Sequence, residues 1–341
     1  MNIAAPLVIT LSDDAGLTLR LLDIGATWWS LRLQLPGEAG PRELLLGGRT
    51  PAEHIGNSAY FGATIGRVAN RIALGRLDRG GQTWRLGVAA GTRHHLHGGP
   101  DGFDKHRWTL LGADARQARL SLHSPAGDNG YPGAVAAEVG VRLAGGGVVE
   151  QCFSATCTEA TPLCMTNHTY FNLDAQPGDV RSHQLQVQAS RYLPVDDELI
   201  PFGRLEGVAG TGFDFRARRR VGQPGAVGVK GGVFDHAFLL DAGCAAMAAD
   251  AATLVSTDRR LGLGLATTMP ALQLYTGQHL DREHDRSGGP MRAYAGVALE
   301  PQWLPDSVNH PEWPQPPCWL EPGQVWVHRI RYTFSRLAIG A

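Results

Sequence analysis

The sequence predicts an all-β protein built as a large antiparallel β-sandwich. Apolar and polar residues alternate with period two from end to end of the 341-residue chain, whereas apolar stripes of helical period with capping residues are rare. Strands that follow one another without intervening helices are typical of antiparallel sheets packed face to face, and they argue against a doubly wound or αβ-barrel plan. Gly, Pro, Asn and Asp fall between the candidate strands, as expected of turns.

Two segments show the alternation most clearly. In Ala134–Leu143 every odd position is apolar and Glu138 and Arg142 share the other face, which is the pattern of a half-buried strand. Val325–Phe334 alternates in a similar way around one histidine and two arginines. The other candidate strands, in chain order, are Leu7–Leu11, Leu17–Ile24, Trp29–Leu35, Ala118–His123, Leu185–Gln188, Leu261–Thr267 and Leu272–Tyr275.

The segments between these strands contain no linker, so we expect residues 1–341 to form a single domain. The Gly-rich stretch Gly145–Gly147 is suited to a turn. Pro301–Pro317 is the one long irregular segment, and long ordered loops in compact domains tend to carry function.

Charge and cysteine content narrow the function classes. The chain has 31 basic and 32 acidic residues, so its formal net charge is −1 and no global field attracts nucleic acid or an anionic membrane surface. The five cysteines form no C-x-x-C pair, which favours a reducing compartment over a zinc or redox site. No apolar run reaches the length of a membrane span, and the N-terminus lacks the features of a signal peptide. We expect a soluble, cytoplasmic protein.

Candidate functional residues are polar groups within strand-like or turn-like segments, because a buried histidine or carboxylate is costly unless it is paired or working. The segments with this character are His94–Gly99, Thr166–Leu173, Val233–Phe238 and Val297–Gln302.

In the first segment, an extended backbone would place His95 and His97 on one face, the geometry of a His-x-His metal site. A hydrogen-bonded structural role competes with this interpretation. For His97 we favour a role facing the substrate, because Gly98–Gly99 would let a ligand approach the backbone closely.

The strongest candidate pair is His168 and Glu300. Taken alone, His168 has the structural alternative of a satisfied core histidine, and Glu300 that of a strand-end carboxylate paired with an arginine. A His and a Glu on neighbouring strands would instead supply one acid and one base. The hydrogen-bonding groups that would flank them, in a pocket suited to hydroxyls, are Asn70, Arg71, Asp235 and Gln273. Walker, G-x-S-x-G and H-E-x-x-H motifs are absent, so nucleotide, acyl-transfer and zinc-protease chemistry lack support.

In order along the chain, these segments resemble the aldose 1-epimerase (galactose mutarotase) family. The matching stretches are Phe61–Ile72 (FGATIGRVANRI), Leu96–Trp108 (LHGGPDGFDKHRW), Gly130–Gly133 (GYPG), Asn167–Leu173 (NHTYFNL), Leu193–Gly203 (LPVDDELIPFG), Phe234–Phe238 (FDHAF), Pro270–Gly277 (PALQLYTG) and Leu299–Asn309 (LEPQWLPDSVN). They extend over nearly the whole chain. Two departures, Asp128–Asn129 before Gly130 and Trp303–Leu304 in the last stretch, touch neither member of the pair and bear only on which sugar fits.

The resemblance implies a galactose mutarotase-like sandwich that interconverts the α and β anomers of free aldoses, namely galactose, glucose and, as a further candidate class, pentoses. It implies no cofactor and no catalytic metal. By matching to the family motifs, Glu300 is the general base on the anomeric hydroxyl and His168 the general acid at the ring oxygen. The residues expected to hold the sugar are Asn70, Arg71, His97, Asp235 and Gln273.

Two other functions stay open. An epimerase of phosphorylated sugars would need a basic cluster, for which the run Arg216–Arg220 is the main candidate beyond Arg71, although a solvated turn explains that run better. A non-catalytic carbohydrate-binding protein would not need a matched acid and base. We expect a small-molecule monosaccharide as the binding partner, neither nucleic acid nor membrane, and a monomer or homodimer.

Overall fold

The computed structural model describes residues 5–223 and 232–337. In these ranges the chain consists mainly of strands and turns, and its only α-helix is α1 (Pro51–Ile55). The side chain of Thr50 caps this helix by accepting a hydrogen bond from the backbone N–H of Glu53. Short 3₁₀ turns lie at Ala73–Gly75, Asp128–Gly130, Val180–Ser182, Cys244–Ala246, Leu280–Arg282 and Ser307–Asn309. No helix in the described ranges is long and apolar enough to cross a membrane.

The strands are numbered in chain order, and those described pair antiparallel in every sheet. The N-terminal sheet contains, in spatial order, β1 (Val8–Ser12), β2 (Leu17–Leu22), β3 (Thr27–Leu33) and β4 (Arg42–Glu43). The large sheet contains, in spatial order, β10 (Thr109–Ala113), β11 (Gln117–Ser124), β12 (Val135–Gly145), β13 (Val148–Cys157), β27 (Trp326–Arg336), β23 (Leu261–Thr267), β22 (Ala252–Val255), β17 (Gln184–Val187) and β20 (Arg219–Arg220).

A second sheet faces the large sheet across the core. In spatial order it contains β16 (Tyr170–Phe171), β25 (Val297–Gln302), β24 (Ala271–Tyr275), β21 (Asp235–Leu239), β18 (Arg191–Leu193) and β19 (Glu206–Gly207). Short two-stranded ladders pair β5 (Thr64–Ile65) with β15 (Thr166–Asn167), β6 (Arg71–Ile72) with β9 (His95–Leu96), β7 (Arg76–Arg79) with β8 (Gln82–Arg85), and β14 (Thr161–Pro162) with β26 (Trp319–Leu320).

Apolar residues from both sheets form one continuous core. Phe171 of the second sheet packs against Tyr332 and Phe334 of the large sheet, with ring centroids 5.7 and 6.4 Å apart. Leu272 and Leu299 point into the same core. Because side chains alternate along a strand, the neighbours of these leucines in sequence point to the opposite face of the second sheet. This opposite face carries polar residues, among them Gln273 and Glu300. The fold thus places these residues on one side of the second sheet, away from the apolar core.

The predicted fold class, an antiparallel β-sandwich, is confirmed, and every predicted strand overlaps an observed one. In β12 the odd positions from Val135 to Leu143 are buried, as the alternation predicts. The turn to β13 is Gly145–Gly147, whose φ angles of 89°, 60° and 80° lie in the region that glycine adopts without steric cost. The extent of the single domain, residues 1–341, stays a prediction.

Two details differ from the sequence prediction. The irregular segment predicted at Pro301–Pro317 begins only after Gln302, because Pro301 and Gln302 still pair with Leu272 and Ala271 in β25. In β27, His328 lies on the buried face and stacks on Phe153 at 5.7 Å, whereas Val327, and Val325 just before the strand, are exposed. The side chain of His328 is accommodated there because Thr268 Oγ1 lies 2.8 Å from its Nδ1 atom.

Candidate active site

The polar face of the second sheet brings the predicted acid and base together through strand register. Glu300 in β25 lies directly opposite Gln273 in β24. On the other side of β25, Tyr170 pairs with Ala298, and continuing that register by two residues brings His168 level with Glu300. Cross-strand neighbours on one face are close enough for side-chain contact. The three residues therefore form a row, with Gln273 in β24, Glu300 in β25 and His168 two residues before β16.

Glu300 and His168 are in contact and buried. Oε2 of Glu300 lies 3.6 Å from Nε2 of His168, and the two residues are only 2% and 4% exposed. Burial raises the pKa of Glu300 well above its usual range; the charge of Asp235 adds to this shift and that of Arg71 opposes it. Burial also lowers the pKa of His168 to about 4. Before substrate binds, both groups therefore favour their neutral forms.

Asp235 lies at the start of β21, on the same face. Its carboxylate Oδ1 accepts a 2.6 Å hydrogen bond from Nε2 of Gln273. Burial raises the pKa of Asp235, while the charge of Arg71 and the hydrogen bond from Gln273 oppose this shift. This side-chain bond joins β21 to β24, and β24 in turn pairs with β25, the strand that bears Glu300.

Arg71 begins β6 of the small β6–β9 ladder, with Asn70 directly before that strand and His97 directly after β9. The backbone N–H of Asn70 donates to Nδ1 of His97 at 3.1 Å, and the backbone N–H of His97 donates to the carbonyl of Asn70 at 3.0 Å. Both residues have positive φ angles, 65° and 52°. The carbonyl of Arg71 is held by the backbone N–H of Asp306 at 2.9 Å. These bonds fix the two segments to each other at the edge of the cavity.

The tautomer of His97 decides what this residue offers to a ligand. Because its Nδ1 accepts a hydrogen bond, the neutral ring carries its proton on Nε2. Burial lowers the pKa of His97 well below its usual value, so the neutral form prevails. His97 therefore offers its Nε2–H group as a hydrogen-bond donor, which suits an oxygen acceptor on a ligand.

Among the described residues, His97, His168 and Glu300 are the one set whose candidate metal-ligand atoms lie close together, within 4.8 Å of one another. A histidine binds a metal through a nitrogen lone pair. The free nitrogen of His97 carries a proton instead, so this set is poorly suited to a metal. The expectation of no catalytic metal stays a prediction, which the chemistry of the donors supports.

His95 does not share a face with His97, and the extended backbone expected there is wrong. The left-handed φ of His97 breaks the alternation. Nδ1 of His95 lies 2.6 Å from the carbonyl of Gly87, and its Nε2 lies 2.6 Å from the hydroxyl of Tyr131. His95 therefore has the hydrogen-bonded structural role that was the alternative to a metal site. The sequence also suggests that Gly98 lets a ligand approach the backbone. In the structure, a Cβ atom at this position would instead overlap the carbonyl oxygen of Gly66.

All of the predicted residues except Gln273 line one cavity of about 310 Å³, and Gln273 reaches it through Asp235. The cavity also contains residues that the sequence analysis did not single out, although most lie within or beside the matching stretches: Tyr60, Tyr170, Leu199, Tyr275, His279 and Glu283. A more open groove of about 1070 Å³ lies around Arg79 and Trp319 and contains neither His168 nor Glu300. The smaller cavity is therefore the candidate active site.

The run Arg216–Arg220 does not contribute to this cavity. Arg216 forms hydrogen bonds of 2.9 and 2.7 Å with the carboxylate of Asp214, and the guanidinium of Arg219 lies 3.8 Å from the ring centroid of Phe215. These arginines are engaged with their own neighbours.

An antiparallel sandwich with a buried carboxyl–imidazole pair in a cavity lined by polar groups is the arrangement expected of an enzyme that uses acid–base chemistry on a small polar substrate. The family model described as aldose 1-epimerase matches residues 7–333. The aldose 1-epimerase of Escherichia coli K12 is 43% identical over 332 residues, covering 96% of this chain and 94% of the relative. Human galactose mutarotase is 36% identical over 302 residues, covering 86% of this chain and 84% of the relative.

A solved structure gives the same result. The crystal structure of an aldose epimerase homologue from C. elegans superimposes with a TM-score of 0.90 at 29% identity, covering 98% of this chain and all of that one. The chain belongs to the aldose 1-epimerase family. The predicted fold, isomerase class and anomer-interconverting activity are confirmed, whereas the roles of individual residues are proposals.

Proposed function

We propose that the chain interconverts the α and β anomers of free aldoses, with galactose and glucose as the first candidates, and that Glu300 and His168 carry the proton transfers. Glu300 takes the proton of the anomeric hydroxyl while His168 delivers a proton to the ring oxygen. The bond between the anomeric carbon and the ring oxygen breaks, and an open-chain aldehyde forms. Rotation about the bond beside the aldehyde, followed by the reverse transfers, closes the ring to the other anomer.

The contact between Glu300 and His168 is the observation that carries this proposal. The anomeric oxygen and the ring oxygen are bonded to the same carbon, so an acid and a base that serve both must be close neighbours. The 3.6 Å separation of Oε2 and Nε2 meets this requirement. Positioned acids and bases contribute roughly 10²- to 10⁴-fold each.

The pKa shifts allow the pair to work with one shared proton. The pKa of Glu300 is raised and that of His168 is lowered, so the proton lies on the carboxyl group before substrate binds. Its transfer to the imidazole gives the carboxylate base and imidazolium acid without uptake of a proton from solvent. Arg71 favours that form because its positive charge stabilises the Glu300 carboxylate.

The remaining residues hold the sugar in this proposal. His97 donates from Nε2, and Arg71 donates from its guanidinium, to oxygens that gain negative charge. Asn70, Asp235 and Gln273 supply amide and carboxylate groups for hydroxyls. We expect no cofactor to be needed, because each proton removed is returned and no electron is exchanged.

Neither alternative function has a supporting observation of equal weight. An epimerase of phosphorylated sugars would use a basic cluster, but Arg216–Arg220 lies outside the cavity. A binding protein would have no use for a buried carboxyl group beside a buried imidazole, an arrangement that costs free energy of folding. Cytoplasmic location and a monomeric or homodimeric state stay predictions.

Polarimetry of freshly dissolved α-D-galactose and α-D-glucose tests the proposal. We expect faster relaxation to an unchanged final rotation with the wild-type protein, and at least a 10³-fold loss of kcat with Glu300→Gln. Sugar binding by the variant, measured by calorimetry, should stay within a few-fold of wild type. Glu138→Gln, on the exposed face of β12, is the matched control and should be fully active. Near-normal turnover by Glu300→Gln would remove Glu300 from the role of base.

A further inference from the structure

Tyr60 has a strained backbone at the wall of the active-site cavity. Its φ angle is 59°, in the left-handed region, which costs a residue with a Cβ atom roughly 1–2 kcal/mol. Strain of this kind persists only where the surrounding structure enforces it, and it concentrates at functional sites. Of the described non-glycine residues with positive φ, Asn70, His97 and Leu199 line the same cavity.

The side chain of Asn57 enforces the conformation of Tyr60. Its Oδ1 atom accepts hydrogen bonds from the backbone N–H groups on both sides of Tyr60, from Ala59 at 2.8 Å and from Phe61 at 3.2 Å. The carbonyl of Tyr60 accepts a bond from the backbone N–H of Ala63 at 3.0 Å. These bonds fix the backbone from which the phenol ring projects.

The phenol ring lies against the two imidazoles of the active site. The ring of Tyr60 stacks on His168, with centroids 5.7 Å apart and planes 28° from parallel. Its centroid is 4.8 Å from that of His97 in an edge-on arrangement. The ammonium group of Lys105 lies 5.2 Å from the ring centroid of Tyr60.

His168 needs such a contact because, in the described part of the chain, no hydrogen bond to Nδ1 orients its ring. A catalytic imidazole is usually fixed by a hydrogen bond at the nitrogen that does not react. Here the buried Nδ1 of His168 has no hydrogen-bond partner among the described residues. Rotation of the ring is therefore limited by the rings packed around it, namely Tyr60, Tyr170 with its centroid 5.0 Å away and His97 with its centroid 5.1 Å away.

We propose that Tyr60 is a positioning residue: its ring, held by Asn57, keeps the His168 imidazole aimed at Glu300 and the ring oxygen of the sugar. This role rests on the proposed function of His168 as the acid. It requires the flat face of Tyr60 and not its hydroxyl. Loss of the ring should slow proton transfer, because a small misplacement of a reacting group can cost about 100-fold in rate.

Two substitutions of Tyr60 separate its ring from its hydroxyl. Tyr60→Phe keeps the face and should have a kcat within about threefold of wild type. Tyr60→Leu should lower kcat about 10- to 100-fold with a much smaller change in KM. It should also move the acid limb of the pH profile of kcat/KM toward higher pH, because water entering beside His168 relieves the burial that lowers its pKa.

Tyr294 provides a matched control. It is also a tyrosine with positive φ, 64°, and a cation beside its ring, Arg181 at 3.8 Å, but it does not line the cavity. Tyr294→Leu should therefore resemble Tyr60→Leu in thermal stability and resemble wild type in kcat and in the acid limb. Equal losses of kcat in both leucine variants would overturn the positioning role in favour of a general effect on stability.

A further variant covers the case in which Tyr60→Leu fails to fold. Asn57→Ala releases the segment without changing a side chain of the cavity, and it should lower kcat at least threefold while Tyr294→Leu does not. An unchanged kcat in Asn57→Ala or in folded Tyr60→Leu would overturn the proposal. So would a Tyr60→Phe variant as impaired as Tyr60→Leu, since the hydroxyl would then do the work. If wild type itself failed to accelerate mutarotation, the proposed function would fall first.

Discussion

Gln273 and Glu300 form a directly opposed pair on β24 and β25, and each leaves one buried oxygen without a hydrogen bond from the described residues: Oε1 of Gln273 and Oε2 of Glu300. Buried acceptors without partners are costly in a folded protein. Glu300 lies on the cavity wall and Gln273 lies beside it in the next strand, so we expect hydroxyl donors of a ligand to bind here favourably. We therefore expect sugar binding to offset part of the free energy that these unpartnered acceptors cost in folding.

Gln273→Leu should weaken sugar binding more than it slows chemistry. The substitution removes the free acceptor Oε1 and the donor that holds Asp235 at 2.6 Å. We expect KM to rise about tenfold with kcat within about threefold of wild type, because Gln273 exchanges no proton. Initial-rate polarimetry over a range of sugar concentrations measures both constants. A lower kcat at unchanged KM would instead place Gln273 in the chemical step.

His168→Asn should lower kcat at least 100-fold and alter sugar binding only a few-fold. Asparagine retains hydrogen-bonding capacity but has no group that delivers a proton to the ring oxygen. In the pH profile of the residual activity, the acid limb that belongs to His168 should be replaced by one at higher pH, because the proton of Glu300, whose pKa burial raises, can no longer pass to an imidazole. Persistence of the same limb in the variant would assign it to another group.

The wild-type pH profile should show a broad plateau. The pair works with one proton between Glu300 and His168, so activity falls only when a second proton binds or the first is lost. A second proton binds to His168 near pH 4, since burial lowers its pKa to about 4. The first is lost above the raised pKa of Glu300. Rates of mutarotation from pH 3.5 upward, corrected for the uncatalysed reaction, would contradict this assignment if they peaked sharply near pH 5.

Dialysis against a chelator should leave the rate unchanged. The hydrogen bond from Asn70 to Nδ1 of His97 keeps the proton of that ring on Nε2, so one of the three candidate ligands lacks a free lone pair. Metal analysis of the dialysed protein is the control. A loss of activity that added Zn²⁺ restores would show that His97 adopts the other tautomer and that a metal takes part.

Gly98→Ala should destabilise the protein much more than Gly91→Ala. Both glycines have positive φ, 89° and 78°, so both variants incur the roughly 1–2 kcal/mol of a left-handed alanine. Only at Gly98 does the new methyl group overlap another atom, the carbonyl oxygen of Gly66. We expect the loss of unfolding free energy in Gly98→Ala to be at least twice that in Gly91→Ala. Equal losses in a denaturant titration would show that the backbone at Gly66 yields easily.

The strands and the acid–base pair could be predicted from sequence because each has a local signal. Period-two alternation marked β12 and β23, and a carboxylate within a run of apolar residues marked Glu300. What joins Glu300 to His168 is the pairing of strands far apart in the chain, and no local pattern records it. The resemblance to a family supplied that link.

The errors arose where backbone conformation departs from the ideal. His95 and His97 would share a face in an extended strand, but the positive φ of His97 turns its side chain into the cavity. Tyr60 was not singled out because its role depends on a strained backbone held by Asn57, which composition and periodicity do not reveal. His328 was placed among the polar residues of its strand, although stacking on Phe153 keeps it inside.

The row formed by His168, Glu300 and Gln273 depends on the register in which β25 pairs with its neighbours. Side chains in a strand change face with every residue, so a single residue inserted in β25 ahead of Glu300 would exchange the core and cavity faces of the rest of the strand. Many single substitutions around the cavity should therefore lower activity only in part, whereas a one-residue insertion in β25 should abolish it. We therefore expect β25 to tolerate exchanged residues far better than a change in its length.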